Sequence, residues 1–275
     1  MRSVLPVLAA VFLFPGVACA GGAGAAPAVA VAADLAFALP EIAAAFKRDT
    51  GREVKLSFGS SGNFTRQIAE GAPFELFLSA DERYVEQLQT RGRADGAGVL
   101  YGVGRIVQFV PKGSPVKADP KLQDLAAAAG DGRLKKLAIA NPEHAPYGRA
   151  AQEALESAGL WARVKERLVL GENASQAAQF ASAGGAQAGI IPLSLALAPS
   201  LAGRGSHALI PDTMHRPLRQ RMVLIRGAGE TARAFYTYLQ QPEARAVLER
   251  YGFTLTDQVQ GPRSKDQETT TGVQR

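Results

Sequence analysis

The chain has 275 residues, of which 47% are apolar and 20% are charged, and its formal net charge at pH 7 is +6. This balance excludes an intrinsically disordered chain and is sufficient to bury one large core or two smaller ones. The positive charges form no basic block, so we expect no nucleic-acid partner, whereas an anionic small ligand suits the overall charge.

Residues 1–20 have the features of a secretory signal peptide. Arg2 precedes an apolar run that extends to Phe14, and a small-x-small sequence ends at Ala20, where we expect cleavage. The run is short for a membrane span, so we predict export to the periplasm. Lipid attachment at Cys19 is a less favoured alternative. Cys19 is the only cysteine, so the cleaved chain has no disulfide, thiol nucleophile or thiolate metal site.

Short β-rich runs follow the signal segment in chain order. The nine predicted strands are AVAVAA, EVKLSFG, FELFLSA, RIVQFVP, KLAIAN, RLVLGE, AGIIPLS, HALIPD and RMVLIRG. Amphipathic helical patterns separate most of them, which predicts an α/β chain with largely parallel sheets. The pattern alone fits one wide sheet or two small ones. After residue 253 the composition turns polar and aperiodic, so residues 254–275 are predicted to form a flexible tail.

Four of the predicted strands are followed by turns that carry polar residues at the points where helices begin. The turns contain Asp34, the pair Ser60 and Ser61, Tyr147, and Asn173 followed by Ala174. A helix N-terminus offers unpaired N–H groups and partial positive charge, and serine hydroxyls add neutral donors. The turns therefore predict an oxyanion site. A purely structural alternative is that Asp34 and the serines only cap helices and that Tyr147 only packs.

No motif in the sequence predicts catalysis or a metal centre. The pair Asp81 and Glu82 is typical of a helix start, and the three histidines lack metal-ligand spacing. We therefore expect a binding protein with no enzymatic activity, no cofactor and no bound metal cation. A secreted α/β enzyme acting on an anionic small molecule is the alternative from a different class.

Six segments occur in an order that is similar to one known family. They are AADL, SFGSSGNFTRQIAEGAPFELFLSADE, ANPEHAPYGRAAQEAL, LGENASQAAQF, GIIPLSLA and AFYTYLQQPEARAVLERYGF. Together they resemble the periplasmic molybdate-binding proteins of molybdate ABC transporters. The resemblance implies the periplasmic-binding-protein fold, in which two α/β lobes joined by crossing strands close on a tetrahedral oxyanion. One lobe would contain residues 28–107 and 222–253, and the other residues 108–221.

The resemblance also implies a set of ligand contacts. They fall on Asp34, Ser61, Tyr147 and the backbone N–H of Ala174, with Ser60 and Asn173 beside them. Two positions depart from the family pattern. Pro192 stands where many members have a ligand-binding tyrosine, and Tyr147 occupies the position from which other members supply that phenol. Asp34 replaces the usual Ser or Asn, and its carboxylate would repel a dianion unless it is protonated or turned away.

The function implied by the resemblance is transport. A monomeric periplasmic protein would bind molybdate, and also tungstate, and deliver it to the membrane permease of an ABC importer. A receptor for another tetrahedral oxyanion, such as sulfate or phosphate, is the alternative within the same class.

Overall fold

A computed structural model describes residues 25–255 of the chain. The predicted signal peptide, Cys19 and nearly all of the predicted polar tail lie outside the described residues. Among the residues described, no helix combines the length and the apolar character that crossing a membrane requires.

Strands and helices alternate along most of this range. In chain order they are β1 (Ala28–Ala32), α1 (Ala38–Thr50), β2 (Lys55–Gly59), α2 (Ser61–Ala69), β3 (Phe74–Ser79), α3 (Glu82–Thr90), β4 (Ala94–Gly104), β5 (Ile106–Pro111), α4 (Gln123–Asp131), β6 (Leu137–Ala140), α5 (Pro146–Ser157), α6 (Trp161–Val164), β7 (Leu168–Gly171), α7 (Ala174–Ser182), β8 (Ala188–Pro192), α8 (Leu193–Ala196), β9 (Gly205–Leu209), β10 (Leu218–Ile225), α9 (Glu230–Tyr238) and α10 (Pro242–Arg250). Short 3₁₀ turns occupy Ala33–Leu35, Lys165–Arg167 and Asp212–Met214.

The described strands form two five-stranded sheets, with the orders β2-β1-β3-β10-β4 and β7-β6-β8-β5-β9. In the first sheet β10 pairs antiparallel with β3 and β4, and the other pairs are parallel. In the second sheet β5 pairs antiparallel with β8 and β9, and the other pairs are parallel. Each sheet thus has four strands in one direction and one reversed strand, which confirms the prediction of two mostly parallel sheets flanked by helices.

Strand β4 is the element that the sequence did not predict. Its sequence, ADGAGVLYGVG, is rich in glycine, a residue that is depleted in strands. Gly98 adopts a φ of +68°, and a Cβ there would lie 2.2 Å from the Met222 carbonyl oxygen. The high glycine content prevents the prediction of β4 from the sequence, and Gly98 permits the close pairing of β4 with β10.

The chain changes sheets at points that differ from the predicted lobe boundaries. It first crosses at Arg105, because Ile106 and Val107 already pair with β8 and β9 in the second sheet. It returns before Leu218, which pairs with Gly104 in the first sheet. The first crossing joins β4 directly to β5, and the second passes through residues 210–217, which contain Pro211, Asp212 and Pro217. We refer below to the first lobe, which contains the first sheet, and the second lobe, which contains the second.

Each lobe has a core of its own. In the first lobe α1 buries the face that carries Leu39, Ile42 and Phe46, and the Phe46 ring packs 5.0 Å from that of Phe235 on α9. In the second lobe Phe109 and other apolar side chains of the sheet pack against the buried faces of α4, α5 and α7. Separate cores allow the two lobes to move as units about the crossings.

Candidate functional site: a buried cavity between the lobes

A small cavity of about 10 Å³, with room for about one water molecule, lies where the two lobes meet. Both lobes contribute to its wall. The lining residues are Ala32, Ala33, Asp34, Gly59, Ser60, Ser61 and Ala80 from the first lobe, and Ala145, Pro146, Tyr147 and Ala174 from the second. The carboxyl ends of β1, β2 and β3 open into the cavity, as expected for the ligand crevice of an α/β fold.

Helix N-termini from both lobes meet at this cavity. Helix α2 begins at Ser61, α5 at Pro146 and α7 at Ala174. The first N–H groups of a helix have no acceptor within that helix, and the helix dipole places partial positive charge there. The cavity wall therefore provides neutral donors aimed at an anion.

The two serines at the start of α2 have different surroundings. Ser60 caps the helix, since its Oγ accepts from the Asn63 N–H at 3.4 Å, and it also lies 3.0 Å from His144 Nδ1 in the second lobe. Ser61 is fully buried, and its Oγ accepts from the Ala80 N–H at 3.0 Å. Because the Ser61 oxygen is used as an acceptor, its hydroxyl hydrogen is the part available to a ligand.

Asp34 is a buried carboxyl group on the 3₁₀ turn after β1. Its Oδ2 accepts from Gln220 Nε2 at 2.8 Å, and its Oδ1 is buried with no hydrogen-bond partner among the described residues. Burial raises the pKa of the Asp34 carboxyl to about 7, although the hydrogen bond from Gln220 and the nearby Tyr147 hydroxyl oppose this rise. The N-cap of the following helix α1 is Phe37, and the Asp34 carboxyl bonds Gln220 instead, so the interpretation of Asp34 as only a helix cap is wrong.

Gln220 connects Asp34 to two buried tyrosines. Its Nε2 donates to the Tyr147 hydroxyl at 2.9 Å, and its Oε1 accepts from the Tyr101 hydroxyl at 2.6 Å. Burial, and then the nearby charge of Asp34, raise the pKa of both tyrosines well above the ordinary range. Both phenols therefore remain protonated donors. Since the Tyr147 oxygen accepts from Gln220, its own hydrogen is free for Asp34 or for a ligand.

Hydrogen bonds between the lobes surround the cavity. The Gly62 N–H donates to the His144 carbonyl oxygen at 2.9 Å, Ser175 Oγ to the Ala33 carbonyl oxygen at 2.8 Å, and Ser194 Oγ to the Asp34 carbonyl oxygen at 2.8 Å. Arg149 Nη2 also pairs across the lobes with Asp81 Oδ2 at 3.0 Å. These contacts enclose the cavity, so a ligand can enter only when the lobes separate.

Most of the residues that the sequence proposed are brought together here. Asp34, Ser60, Ser61, Tyr147 and Ala174 line the cavity. Asn173 lies just outside the lining, where it caps α7 by accepting from the Gln176 N–H at 3.1 Å. Pro192 is likewise outside the lining: it ends β8 and precedes α8. The ligand contacts themselves stay predictions.

Sequence reasoning missed Gln220 and Tyr101. Gln220 carried a usable signal, because Leu218, Gln220 and Met222 alternate along β10 and all three are buried. A polar residue on the buried face of a strand requires a partner. Tyr101 lies on the glycine-rich strand that was not predicted.

The cavity offers no arrangement for metal binding or nucleophilic chemistry among its lining residues. No group of three or more His, Cys, Asp or Glu side chains within residues 25–255 could hold a metal ion. The lining also contains no Lys, Arg or His, so an anion held there is stabilised by hydrogen bonds and helix dipoles.

Two α/β lobes that enclose a buried, donor-lined cavity define a solute-binding protein of the hinged, two-lobed class. Residues 27–254 match the family model described as bacterial extracellular solute-binding protein, and the chain belongs to this family.

Comparison with individual proteins identifies more specific relatives than the family model does. The chain is 37% identical over 230 residues to the molybdate-binding protein ModA of Azotobacter vinelandii, covering 82% of this chain and 89% of that protein. It is 36% identical to the ModA of Rhodobacter capsulatus, covering 82% and 86%. The solved periplasmic molybdate-binding protein of Azotobacter vinelandii superposes with a TM-score of 0.76 at 31% identity, covering 84% of this chain and 99% of that one. The resemblance to molybdate-binding proteins and the two-lobed fold predicted from it are confirmed.

Proposed function

We propose that this protein binds molybdate, and also tungstate, in the cavity between its lobes and delivers it to the permease of an ABC importer in the periplasm. The observation that carries the proposal is a closed cavity that receives three helix N-termini and the Ser61 hydroxyl and has no basic side chain in its lining. Such a wall suits a small, fully ionised oxyanion held by many neutral donors. The identity to ModA proteins supports molybdate over other tetrahedral oxyanions.

Molybdate should stabilise the protein against heat. A ligand that binds only the folded state, at about a hundred times its dissociation constant, adds about 2.7 kcal/mol to the free energy of unfolding. This raises the melting temperature by several degrees. The measurement is a thermal-shift panel of molybdate, tungstate, sulfate, phosphate and chromate at matched ionic strength. A melting curve that none of the five anions moves would contradict the proposal.

The panel also separates the alternatives. A shift caused by sulfate or phosphate and not by molybdate would favour another oxyanion receptor. Turnover of an anionic ester without stabilisation by any of the five anions would favour a secreted enzyme. The Ser60 and His144 contact is the nearest approach to a nucleophile and base in the cavity wall, but Ser60 Oγ is also occupied as the cap of α2.

Ala174 allows the removal of a single ligand donor. Proline is tolerated at the first residue of a helix, and Asn173 before it has the extended conformation, φ −151° and ψ 178°, that proline requires of its neighbour. Ala174→Pro therefore deletes one N–H at the cavity and leaves the helix. We expect molybdate affinity to fall about ten- to a hundredfold, the cost of one charge-assisted hydrogen bond.

The matched control is Glu230→Pro. Glu230 is the first residue of α9, far from the cavity wall, and its side chain is exposed. Calorimetry should give this variant the affinity of the unmodified protein. If Ala174→Pro folds and binds molybdate with unchanged affinity, the Ala174 N–H is not a ligand contact.

A further inference from the structure

Gln220 fixes how the Asp34 carboxyl group is oriented. Gln220 lies on β10, where its Oε1 accepts from the Tyr101 hydroxyl and its Nε2 donates to Asp34 Oδ2. Oδ2 is therefore held as an acceptor. Asp34 lines the cavity, and its other oxygen, Oδ1, has no hydrogen-bond partner among the described residues. A neutral carboxylic acid held this way carries its proton on Oδ1.

No cation compensates a negative charge on Asp34 among the described residues around it. The groups that face its turn are Gln220 from β10, Tyr101 from β4, Tyr147 from α5, Ser175 from α7 and Ser194 from α8. Of these, only the two tyrosines titrate, and burial raises the pKa of both. The other titratable side chains beside the cavity are His144, which contacts Ser60, and the ion pair of Arg149 with Asp81, in which Arg149 is also paired with Glu153. A dianion entering the cavity would meet an unpaired carboxylate.

We propose that Asp34, positioned by Gln220, binds the oxyanion as a neutral carboxylic acid that donates a hydrogen bond from Oδ1, so that lobe closure on a dianion takes up one proton. This inference rests on the proposed function and deepens it by assigning Asp34 the role of a donor. The acid can donate to any ligand oxygen that carries no proton, and molybdate, tungstate, sulfate and hydrogen phosphate all have such oxygens. An ionised Asp34 could only accept a hydrogen bond, which requires a protonated oxyanion such as hydrogen phosphate.

The direction of the pH dependence follows from the two states of Asp34. In the separated lobes the carboxyl is solvated and titrates near its ordinary value of about 4. In the closed protein its pKa is about 7, and a bound dianion raises this pKa further. Between these values the bound state holds a proton that the free state lacks. Affinity should therefore fall by up to about tenfold per pH unit as the pH rises from about 5 to 7.

The decisive measurement is calorimetric titration with molybdate at about pH 6 in buffers of different ionisation enthalpy. The full chain should take up about one proton per molybdate bound. In Asp34→Asn the amide replaces the acid as donor and still accepts from Gln220, so uptake should vanish and affinity should become independent of pH. At pH 8 this variant should bind more tightly than the unmodified protein.

Two further variants attribute the proton to one residue. His144→Asn should keep the uptake of about one proton, because the proton belongs to Asp34. Gln220→Met removes a hydrogen bond that favours the ionised carboxyl, so the fall in affinity should continue to higher pH. This second variant also tests the role of Asp34 if Asp34→Asn does not fold.

Each outcome has a distinct meaning. Molybdate binding without proton uptake, or uptake that persists in Asp34→Asn, overturns this inference and leaves the proposed function intact. Proton release on binding, with a preference for phosphate, also overturns it, since Asp34 would then be an acceptor. Absence of molybdate binding at every pH contradicts the proposed function itself.

Discussion

Replacing Gly62 with alanine should weaken molybdate binding by about thirty- to several-hundredfold while leaving the unliganded protein folded. Gly62 lies on α2 in the first lobe, and its N–H donates to the His144 carbonyl oxygen in the second. A Cβ at Gly62 would lie 2.7 Å from that oxygen and 3.0 Å from the His144 Cα. Both are backbone atoms, so no side-chain rotation relieves the overlap.

Two penalties on lobe closure determine the size of this effect. Forced overlap in a packed region costs about 1–3 kcal/mol, and breaking the hydrogen bond between Gly62 and His144 adds about 1 kcal/mol. Since each 1.4 kcal/mol corresponds to a factor of ten, the sum of about 2–4 kcal/mol amounts to about thirty- to several-hundredfold. The overlap exists only when the lobes meet, so the separated form of the protein avoids it.

The unliganded protein should respond in the opposite direction. Alanine is favoured over glycine within a helix by up to about 1 kcal/mol, so the melting temperature without ligand should stay the same or rise. Calorimetry and thermal melting of the same variant separate the two effects. Gly130→Ala on α4 is the matched control, because its Cβ would meet only the flexible end of Arg163. Unchanged affinity in Gly62→Ala would show that the ligand-bound form lacks this contact between the lobes.

The sequence predicts the parts of this fold that local chemistry determines. The turns at Ser60 and Asn173 were identified from short polar residues before helices, and both side chains do cap the helices that follow. Strands β1 and β6 each appear in the sequence as a continuous apolar run, which is how they were predicted. The structure explains these runs, because the side chains of both strands are almost entirely buried.

What the sequence did not predict depends on long-range contacts. The hydrogen bond between Gln220 and Asp34 joins residues 186 positions apart. The sequence around either residue does not predict that the other is its partner. The same holds for Gly104, where a Cβ would lie 2.1 Å from the Tyr147 hydroxyl and 2.5 Å from Gln220 Nε2. A residue without a side chain is needed at Gly104 because β4, α5 and β10 meet there, and the local sequence does not indicate this meeting. The raised pKa of Asp34 likewise follows from burial, which the sequence alone does not give.

Ser61 should contribute more to molybdate affinity than its neighbour Ser60. The Ser61 Oγ accepts from the Ala80 N–H, which leaves the hydroxyl hydrogen free to donate to a ligand oxygen. In Ser61→Ala that charge-assisted bond is absent, and affinity should fall about ten- to a hundredfold. The Ser60 hydroxyl is already shared between the Asn63 N–H and the His144 ring.

Stability should also change in a way that distinguishes the two serines. In Ser61→Ala the buried Ala80 N–H has no acceptor, which costs about 1–3 kcal/mol whether or not ligand is present. In Ser60→Ala the loss of the helix cap costs about 1 kcal/mol. Both variants should therefore melt at lower temperature without ligand, and Ser61→Ala should be the less stable of the two.

Calorimetry at fixed pH, together with melting curves with and without molybdate, tests this order. We expect Ser60→Ala to weaken binding by less than about tenfold, because the Ser60 hydroxyl is already shared between the Asn63 N–H and the His144 ring. Ser61→Ala should lose both intrinsic stability and most of the stabilisation by ligand at a fixed molybdate concentration. If Ser60→Ala has the larger loss of affinity, the ligand lies nearer to His144 than the hydrogen bonding of the two serines indicates. The assignment of Ser61 as the donor at the start of α2 would then be wrong.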